Sequence, residues 1–278
     1  MTSLQVSRDD LVRLIVARLE SAETALKRAF EASRSEVGVR YCAIDDLLPE
    51  AVVRQIHERF PEPQFMRQMD SFREKKYTSK SFDKLDPLLA DITFAVQDPR
   101  VLVVVERITG LKEQIPDSSL YAGGLSAMTQ GHFLGPHIDN SHEASRRYYR
   151  TLNLLYYVSP DWTLENGGNL ELWDMQVRQS ATIVSKFNRL ALMETTPTSW
   201  HSVSQVAVDR TRCCVSNYYF SPRSPTGSDY FNVTSFSAWP NQPLRRVLAR
   251  LDNGLRQAVR WLVPHGLGKK DVYEGPKQ

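Results

Sequence analysis

Apolar residues recur every three or four positions near the start of the chain, which is typical of one apolar stripe along a helix. The stripe consists of Leu11, Ile15, Leu19, Ala22, Leu26 and Phe30. Ser7 stands three residues before Asp10, an arrangement that resembles a capping box and predicts that a helix begins there. We interpret this helix, and those that follow it, as scaffold.

Three more helices are predicted before residue 110. Ile44–Phe60 fits a helix that Pro61 would end, because proline lacks an amide hydrogen and clashes with the preceding turn. Lys84–Gln97 and Pro99–Thr109 fit two further helices, and Gly110 is a typical C-cap for the second.

The pattern changes near Leu120, where apolar runs become short. Leu152–Val158 and Arg212–Phe220 are rich in aromatic and β-branched residues and apolar on both faces, which indicates strands covered on both sides. Gly167 and Gly168 mark a tight turn into another strand, Asn169–Trp173. The N-terminal helices would cover one face of this sheet, and the other face would line an interior.

A second helical stripe lies near the end of the sequence. It consists of Leu244, Leu248, Leu251, Leu255, Val259 and Leu262. Gly254 would break it into two helices. Five arginines occupy the remaining positions, namely Arg245, Arg246, Arg250, Arg256 and Arg260. We interpret them as a solvated face in preference to a surface for an acidic partner.

Helices followed by many antiparallel strands predict a mainly β fold with helical additions. We expect a double-stranded β-helix, or jelly roll, with N-terminal helices packed on one sheet and C-terminal helices. A single domain should span residues 1–278, with helical support over 1–110, a jelly-roll catalytic core over 111–222, and a C-terminal helical extension over 223–278.

The composition narrows the class of protein. Of 278 residues, 41% are hydrophobic and 24% charged, so the chain can bury a sizeable core, and a net charge of +3 argues against a nucleic-acid surface. No apolar run would insert in a membrane, and no signal peptide is evident, so we expect a cytoplasmic protein. Three cysteines, Cys42, Cys213 and Cys214, cannot form a disulfide framework. The oligomeric state stays open.

Four polar residues carry the candidate chemistry. His137 and Asp139 are two residues apart, so on a strand both project from the same side. His201 follows after a turn-like segment, at the start of another predicted strand. Two imidazoles and one carboxylate can bind one face of Fe(II) and leave three positions open. Arg212 heads an apolar strand, where a buried charge needs a partner, and an arginine can hold a dicarboxylate by a bidentate pair.

In motif order and spacing the sequence resembles the prolyl-4-hydroxylase-like iron(II)/2-oxoglutarate oxygenases over roughly residues 120–222. The resemblance rests on Gly131–Asp139, Arg150–Tyr157, Asp161-Trp162, Gly167-Gly168, His201 and Arg212. It implies a jelly-roll fold, which agrees with the strand pattern.

The resemblance also implies roles for individual residues. His137, Asp139 and His201 would be the iron ligands, with no catalytic side chain beyond them. Arg212 and Tyr157 would bind the distal carboxylate of 2-oxoglutarate.

Other residues would complete the pocket. Asn153, Leu155 and Tyr157 share one predicted strand face, as do Arg212, Cys214, Ser216 and Tyr218. We expect Asn153, Leu155 and Ser216 near the co-substrate, and Arg150, Tyr218 and Gln130 near the substrate. Many relatives have a tyrosine where this chain has Met128, so its hydrogen bond would be missing or supplied by Gln130 or Asn153.

The implied cofactors are Fe(II), the co-substrate 2-oxoglutarate and O2, with ascorbate as a candidate reductant. The implied reaction hydroxylates an unactivated C–H bond and releases succinate and CO2. Asp139 favours hydroxylation, because related halogenases have a small residue there.

Several alternatives stay open. We favour a small molecule or biosynthetic intermediate as the substrate, because no peptide-binding repeat accompanies the domain; a protein prolyl or other residue hydroxylase is the alternative. Desaturation or ring closure, and a non-catalytic metal-binding or ligand-binding jelly-roll sensor, are further readings. The segment Asn140–Arg150 is polar and leaves a metal ligand directly, so it is predicted to form the substrate entrance, with Arg150 contacting an anionic or carbonyl-bearing substrate.

Overall fold

The computed structural model describes residues 6–79, 82–121 and 123–262. Helices in these ranges are α1 Arg8–Ser21, α2 Glu23–Ala32, α3 Arg34–Val37, α4 Glu50–Glu58, α5 Pro87–Ala95, α6 Pro99–Thr109 and α7 Pro243–Leu262. None of the helices within these ranges is long and apolar enough to cross a bilayer.

The strands form one antiparallel sheet that bends into two layers. They are β1 Tyr41–Ile44, β2 Arg67–Asp70, β3 Glu74–Thr78, β4 Ile115–Pro116, β5 Gly124–Met128, β6 Phe133–Ile138, β7 Tyr149–Tyr157, β8 Leu170–Trp173, β9 Ser180–Ile183, β10 Arg189–Glu194, β11 His201–Val203, β12 Arg212–Ser221 and β13 Ser235–Phe236. One layer has the order β1-β10-β7-β12-β5, and the other β6-β11-β8-β9. Strand β3 pairs with both β5 and β6 and so joins the layers. This is the predicted jelly roll.

The N-terminal helices cover the outer face of the first layer, as predicted. Side chains of α1, α2, α5 and α6 form one core cluster with the outward-facing residues of β7 and β12. Leu154 and Tyr156 alternate with Asn153 and Leu155 along β7, so one set packs against helices and the other faces the interior. The strand is covered on both sides, which explains why its sequence is apolar throughout.

Two helix ends lie where the capping residues in the sequence predicted them. The capping box at Ser7 and Asp10 is present, and α6 ends at Thr109 with Gly110 in the left-handed conformation, at φ 72°. The first apolar stripe is divided between α1 and α2 at Ala22, which has a non-helical conformation.

The prediction of a helix over Ile44–Phe60 was wrong at its start. Tyr41–Ile44 is an edge strand paired with β10, and the helix begins only at Glu50, after Pro49. The predicted helical support over residues 1–110 also contains strands, namely β1 and the β2–β3 hairpin. The hairpin strands are polar and half exposed, so they show no apolar alternation that could have revealed them.

The C-terminal extension differs in two ways from its prediction. It includes the short strand β13, and α7 runs unbroken through Gly254. Gly254 stands where an added Cβ would meet nothing within 4 Å, so the helix passes it without a packing constraint. Residues 263–278 lie outside the described part of the chain.

Candidate metal and co-substrate site

His137, Asp139 and His201 come together at one end of the second layer. His137 lies near the end of β6, and His201 begins β11 directly opposite it in the antiparallel register. The Asp139 carboxylate, just after β6, lies 3.6 Å from His137 Nε2 and 3.5 Å from His201 Nε2. Adjacent ligands at about 2.1 Å from one ion stand about 3 Å apart. The three side chains can therefore bind one metal ion.

Backbone carbonyls fix the tautomer of both imidazoles. The Nδ1 atoms of His137 and His201 lie 2.9 Å and 3.0 Å from the carbonyl oxygens of Gly135 and Ser199. A carbonyl can only accept, so each Nδ1 carries the hydrogen and each Nε2 presents a lone pair. Burial, and after it the neighbouring His137, lower the pKa of His201 to about 4, so this ring is neutral at pH 7.

The third ligand is held by two donors. Asn153 Nδ2 donates to Asp139 Oδ2 at 2.8 Å, and Arg150 Nη1 lies 3.0 Å from the same oxygen. Burial alone would raise the pKa of Asp139, but the charge of the neighbouring Arg150 keeps it well below its usual range. The carboxylate is therefore ionised and oriented, as a metal ligand requires.

Arg212 is a buried cation without a carboxylate partner among the described residues. Its exposed fraction is 3%. Its Nε donates to Ser185 Oγ at 3.2 Å, and Nη1 lies 3.8 Å from the sulfur of Met128. The guanidinium carbon stands 4.8 Å from the centre of the Tyr157 ring, and the buried Tyr157 hydroxyl has no hydrogen-bond partner. A buried arginine in such surroundings favours an anionic ligand.

One cavity of about 730 Å³ connects the two groups. It is lined by the three metal-ligand candidates and by Arg212. Asn153, Leu155, Ser216 and Tyr218 line it too. The pairing of β7 with β12 explains why these four side chains face the same cavity, because Leu155 is opposite Ser216 and Asn153 is opposite Tyr218. The predicted strand faces thus coincide with the cavity wall except at Tyr157, which lies beside Arg212 but does not line the cavity.

Arg150 reaches the interior through a β-bulge. Seven residues separate it from Tyr157, so regular alternation would place the two side chains on opposite faces. In the register with β12, however, Leu152 pairs with Tyr219 and Arg150 with Phe220, which leaves Thr151 as an extra residue. The bulge turns Arg150 inward, where it contacts Asp139 and stacks on Tyr218 at 4.3 Å. It does not line the cavity itself.

Gln130 is not where the sequence placed it. The residue lies in the turn after β5, its side chain is exposed, and Nε2 donates to the Ala207 carbonyl at 3.3 Å. The strand has ended at Met128, so alternation no longer governs the direction of the side chain. Gln130 therefore cannot replace the hydrogen bond that a tyrosine at Met128 would make, and the amide of Asn153 is already used on Asp139.

Two features of the site had no signal in the sequence. Phe236 of β13 stacks on His137, with ring centres 5.5 Å apart, and pairs with it in the sheet. The β2–β3 hairpin supplies Arg67, Met69 and Lys76 to the cavity wall. Both arise from segments far away in sequence, and neither carries a motif.

Comparison with known proteins agrees with this geometry. Residues 123–220 match the 2OG-Fe(II) oxygenase superfamily. A segment of 88 residues is 30% identical to prolyl 3-hydroxylase OGFOD1 of Mus musculus and covers 30% of this chain and 16% of the mouse protein. The chain thus spans less than a fifth of the curated relatives that it matches.

Solved structures show the same fold at low sequence identity. A prolyl-4-hydroxylase of Pseudomonas putida aligns with a TM-score of 0.52 and 12% identity, over 70% of this chain and 98% of that one. A prolyl 4-hydroxylase of Phytophthora capsici aligns with a TM-score of 0.51 and 15% identity, over 91% and 80%.

The superfamily uses Fe(II) and 2-oxoglutarate, and the residues present fit both. The triad offers two imidazoles and one carboxylate, and Arg212 lines the same cavity. The Tyr157 hydroxyl, whose ring lies beside the Arg212 guanidinium, is a buried donor without a hydrogen-bond partner. Residues 123–220 therefore resemble the 2OG-Fe(II) oxygenase superfamily in sequence, and the chain shares its fold with the two prolyl 4-hydroxylases.

Proposed function

We propose that the protein is an Fe(II)/2-oxoglutarate-dependent hydroxylase. The observation that carries the proposal is Arg212, a buried cation without a carboxylate partner among the described residues, beside the unpaired hydroxyl of Tyr157. A metal-binding sensor has no need of a dicarboxylate clamp. Because Arg212 lines the same cavity as the triad, one dicarboxylate could reach both.

Each group has a separate task in this proposal. Arg212 and Tyr157 hold the distal carboxylate of 2-oxoglutarate, while Leu155 and Ser216 line its path. His137, Asp139 and His201 hold Fe(II), and the bound iron supplies oxygen activation. The overall reaction consumes 2-oxoglutarate, O2 and a C–H substrate. One oxygen atom enters succinate as CO2 leaves, and the other becomes the new hydroxyl group.

Succinate release tests this function directly. The protein is incubated with Fe(II), 2-oxoglutarate, ascorbate and air, and succinate is followed by mass spectrometry, with turnover expected even without substrate. Asp139→Ala and His201→Ala should abolish the signal, and His57→Ala, on α4 outside the cavity, should not. Absence of succinate from the parent protein, with Fe(II) bound, would favour the sensor instead.

For the substrate we favour a small molecule, because the reactive centre lies in a cavity of limited volume. The alternative is a prolyl residue of a protein, and the names of the mouse and bacterial relatives support it. A metabolite extract and a set of proline-containing peptides, each screened for the mass gain of one oxygen atom, separate the two. Loss of two hydrogen atoms instead would indicate desaturation or ring closure.

Tyr218 and Arg150 are the residues that we propose for substrate recognition. Tyr218 lines the cavity and packs on the Arg150 guanidinium. Arg150 Nε is buried without a hydrogen-bond partner, so it retains one donor for an anionic or carbonyl group. The cytoplasmic location stays a prediction.

A further inference from the structure

Helix α7 is attached to the molecule by its polar face. The Asn253 side chain donates to the Phe236 carbonyl at 2.6 Å and accepts from the Phe236 amide at 2.8 Å. Asp252 pairs with Arg73 of the β2–β3 turn at 3.0 Å. Arg246 donates to the Ala238 carbonyl at 3.0 Å. These bonds fasten α7 to the strand that stacks on a metal ligand and to the hairpin that lines the cavity.

The apolar face of α7 points away from the protein. Five of its large apolar side chains are 55% to 81% exposed, namely Leu244, Val247, Leu248, Leu251 and Leu255. At 100° per residue they fall on one side of the helix, opposite Arg246 and Asn253. An amphipathic helix in a globular protein normally turns this face inward, and here the orientation is reversed.

Two turns that bond to α7 carry further exposed apolar side chains. Phe72 precedes Arg73, which pairs with α7, and is 53% exposed. Met175 precedes Gln176, whose carbonyl accepts from Arg246, and is 70% exposed. We call the five α7 side chains, Phe72 and Met175 the apolar patch. Patches built from several segments mark interaction sites more often than isolated exposed residues do.

The charge around the apolar patch limits what can cover it. The α7 sequence contains five arginines and a single acidic residue, Asp252, which Arg73 already neutralises. A second copy would bring another cationic helix against the first, which is unfavourable. Of the sixteen residues that follow α7, only Val263, Leu267 and Val272 are aliphatic, and they form no matching apolar run. The partner must therefore present both an apolar surface and negative charge.

We propose that α7, with Phe72 and Met175, binds the surface of an anionic lipid bilayer. The helix would lie in the plane of the interface, with its leucines at the headgroup–acyl boundary and exposed cations such as Arg245 among the phosphates. This is binding to a surface, without insertion across the membrane. It is independent of the proposed catalytic function, since none of these residues belongs to the cavity wall.

Vesicle sedimentation of the full chain tests the proposal. The protein should pellet with vesicles of phosphatidylcholine mixed with phosphatidylglycerol, and much less with phosphatidylcholine alone or at high salt. The double variant Leu248→Ser/Leu251→Ser should bind at least roughly tenfold more weakly, because two leucines lose their burial in lipid. Arg245→Glu should weaken binding as well. Val103→Ser, at an exposed position of α6, is the matched control and should bind like the parent.

Three results would overturn the inference. The first is equal sedimentation with both vesicle types, and the second is equal binding by parent and double variant. The third is a dimer in analytical ultracentrifugation that the double variant converts to monomer, which would assign the patch to a second copy. Uncoupled succinate release should be unchanged in every variant, which shows that they are folded. Failure of lipid binding would leave the oxygenase proposal intact.

Discussion

At the scale of single residues, the environment of Arg212 gives the sharpest expectation. Arg212→Ala removes charge-assisted hydrogen bonds to a carboxylate, worth about 1.5–3 kcal/mol. The affinity for 2-oxoglutarate should fall roughly ten- to a hundredfold, as measured by titration of the Fe(II)-loaded protein without oxygen. Tyr157→Phe should cost less, because one neutral donor is lost and the ring stays.

Arg210→Ala is the control for this series. Arg210 is two residues away but exposed, and it bonds only to the carbonyls of Pro160 and Asp161. If Arg212→Ala and Arg210→Ala titrate alike, the distal carboxylate does not bind where we place it.

For Arg150 the quantity to measure is Fe(II) affinity, because its side chain contacts the metal-ligand candidate Asp139. Arg150→Ala leaves the partly buried Asp139 carboxylate with Asn153 as its remaining side-chain amide donor. We expect Fe(II) affinity to fall roughly ten- to a hundredfold, the usual cost of losing a group that orients a ligand. Uncoupled succinate release should fall with it, and Arg150→Lys should restore part of both. Normal metal binding with a raised substrate KM would instead show that Arg150 serves the substrate alone.

At the scale of elements, strand alternation predicted most of the site. His137 and Asp139 project together because they are two residues apart, and the faces of β7 and β12 followed the same rule. Arg150 lies beyond a bulge at Thr151, and bulges depend on the pairing register, which a single strand does not reveal. The β2–β3 hairpin was missed because its charged, half-exposed residues have no periodic apolar face.

The turn at Gly167 leads to a prediction about the stability of the protein. Its φ is 69°, and an added Cβ would lie 1.9 Å from the Gln205 carbonyl oxygen, which is backbone and cannot move aside. Gly38 has a similar φ of 79° with open space around it. Gly38→Ala incurs about 1–2 kcal/mol of left-handed strain. Gly167 has ψ −160°, in a region that is essentially restricted to glycine, so its alanine variant incurs about 1–3 kcal/mol of backbone strain. Gly167→Ala adds about 1–3 kcal/mol of overpacking.

Urea unfolding of the two glycine variants provides the measurement. Gly167→Ala should lose clearly more free energy of unfolding than Gly38→Ala. Since Gly168 packs against Arg212, Gly167→Ala should also weaken 2-oxoglutarate binding, whereas Gly38→Ala should leave it unchanged. Equal losses in both variants would mean that the turn relaxes freely and does not position Arg212.

At the scale of the whole molecule, the helical layer and the jelly roll share one core. Leu11 of α1, Phe30 of α2 and Tyr219 of β12 belong to the same cluster of buried side chains. The sequence predicted this layer, because β7 and β12 are apolar on both faces and need a cover. It could not predict that α7 turns its stripe outward, since periodicity shows that a face is apolar and not what lies against it.

A shared core predicts that both layers unfold together, and the distribution of tryptophan makes this measurable. All five tryptophans lie beyond residue 161, so fluorescence reports only on the jelly roll and the C-terminal segment. Phe30 is fully buried in α2, and Phe30→Ala should cost about 3–5 kcal/mol. If the protein is one cooperative unit, this loss lowers the urea midpoint seen by fluorescence as much as that seen by far-UV circular dichroism.

Val103→Ala, at an exposed position of α6, is the control, and it should change the free energy of unfolding by no more than about 0.5 kcal/mol with either probe. If Phe30→Ala lowers the dichroism midpoint but leaves the fluorescence midpoint unchanged, the N-terminal helices form a separate unfolding unit.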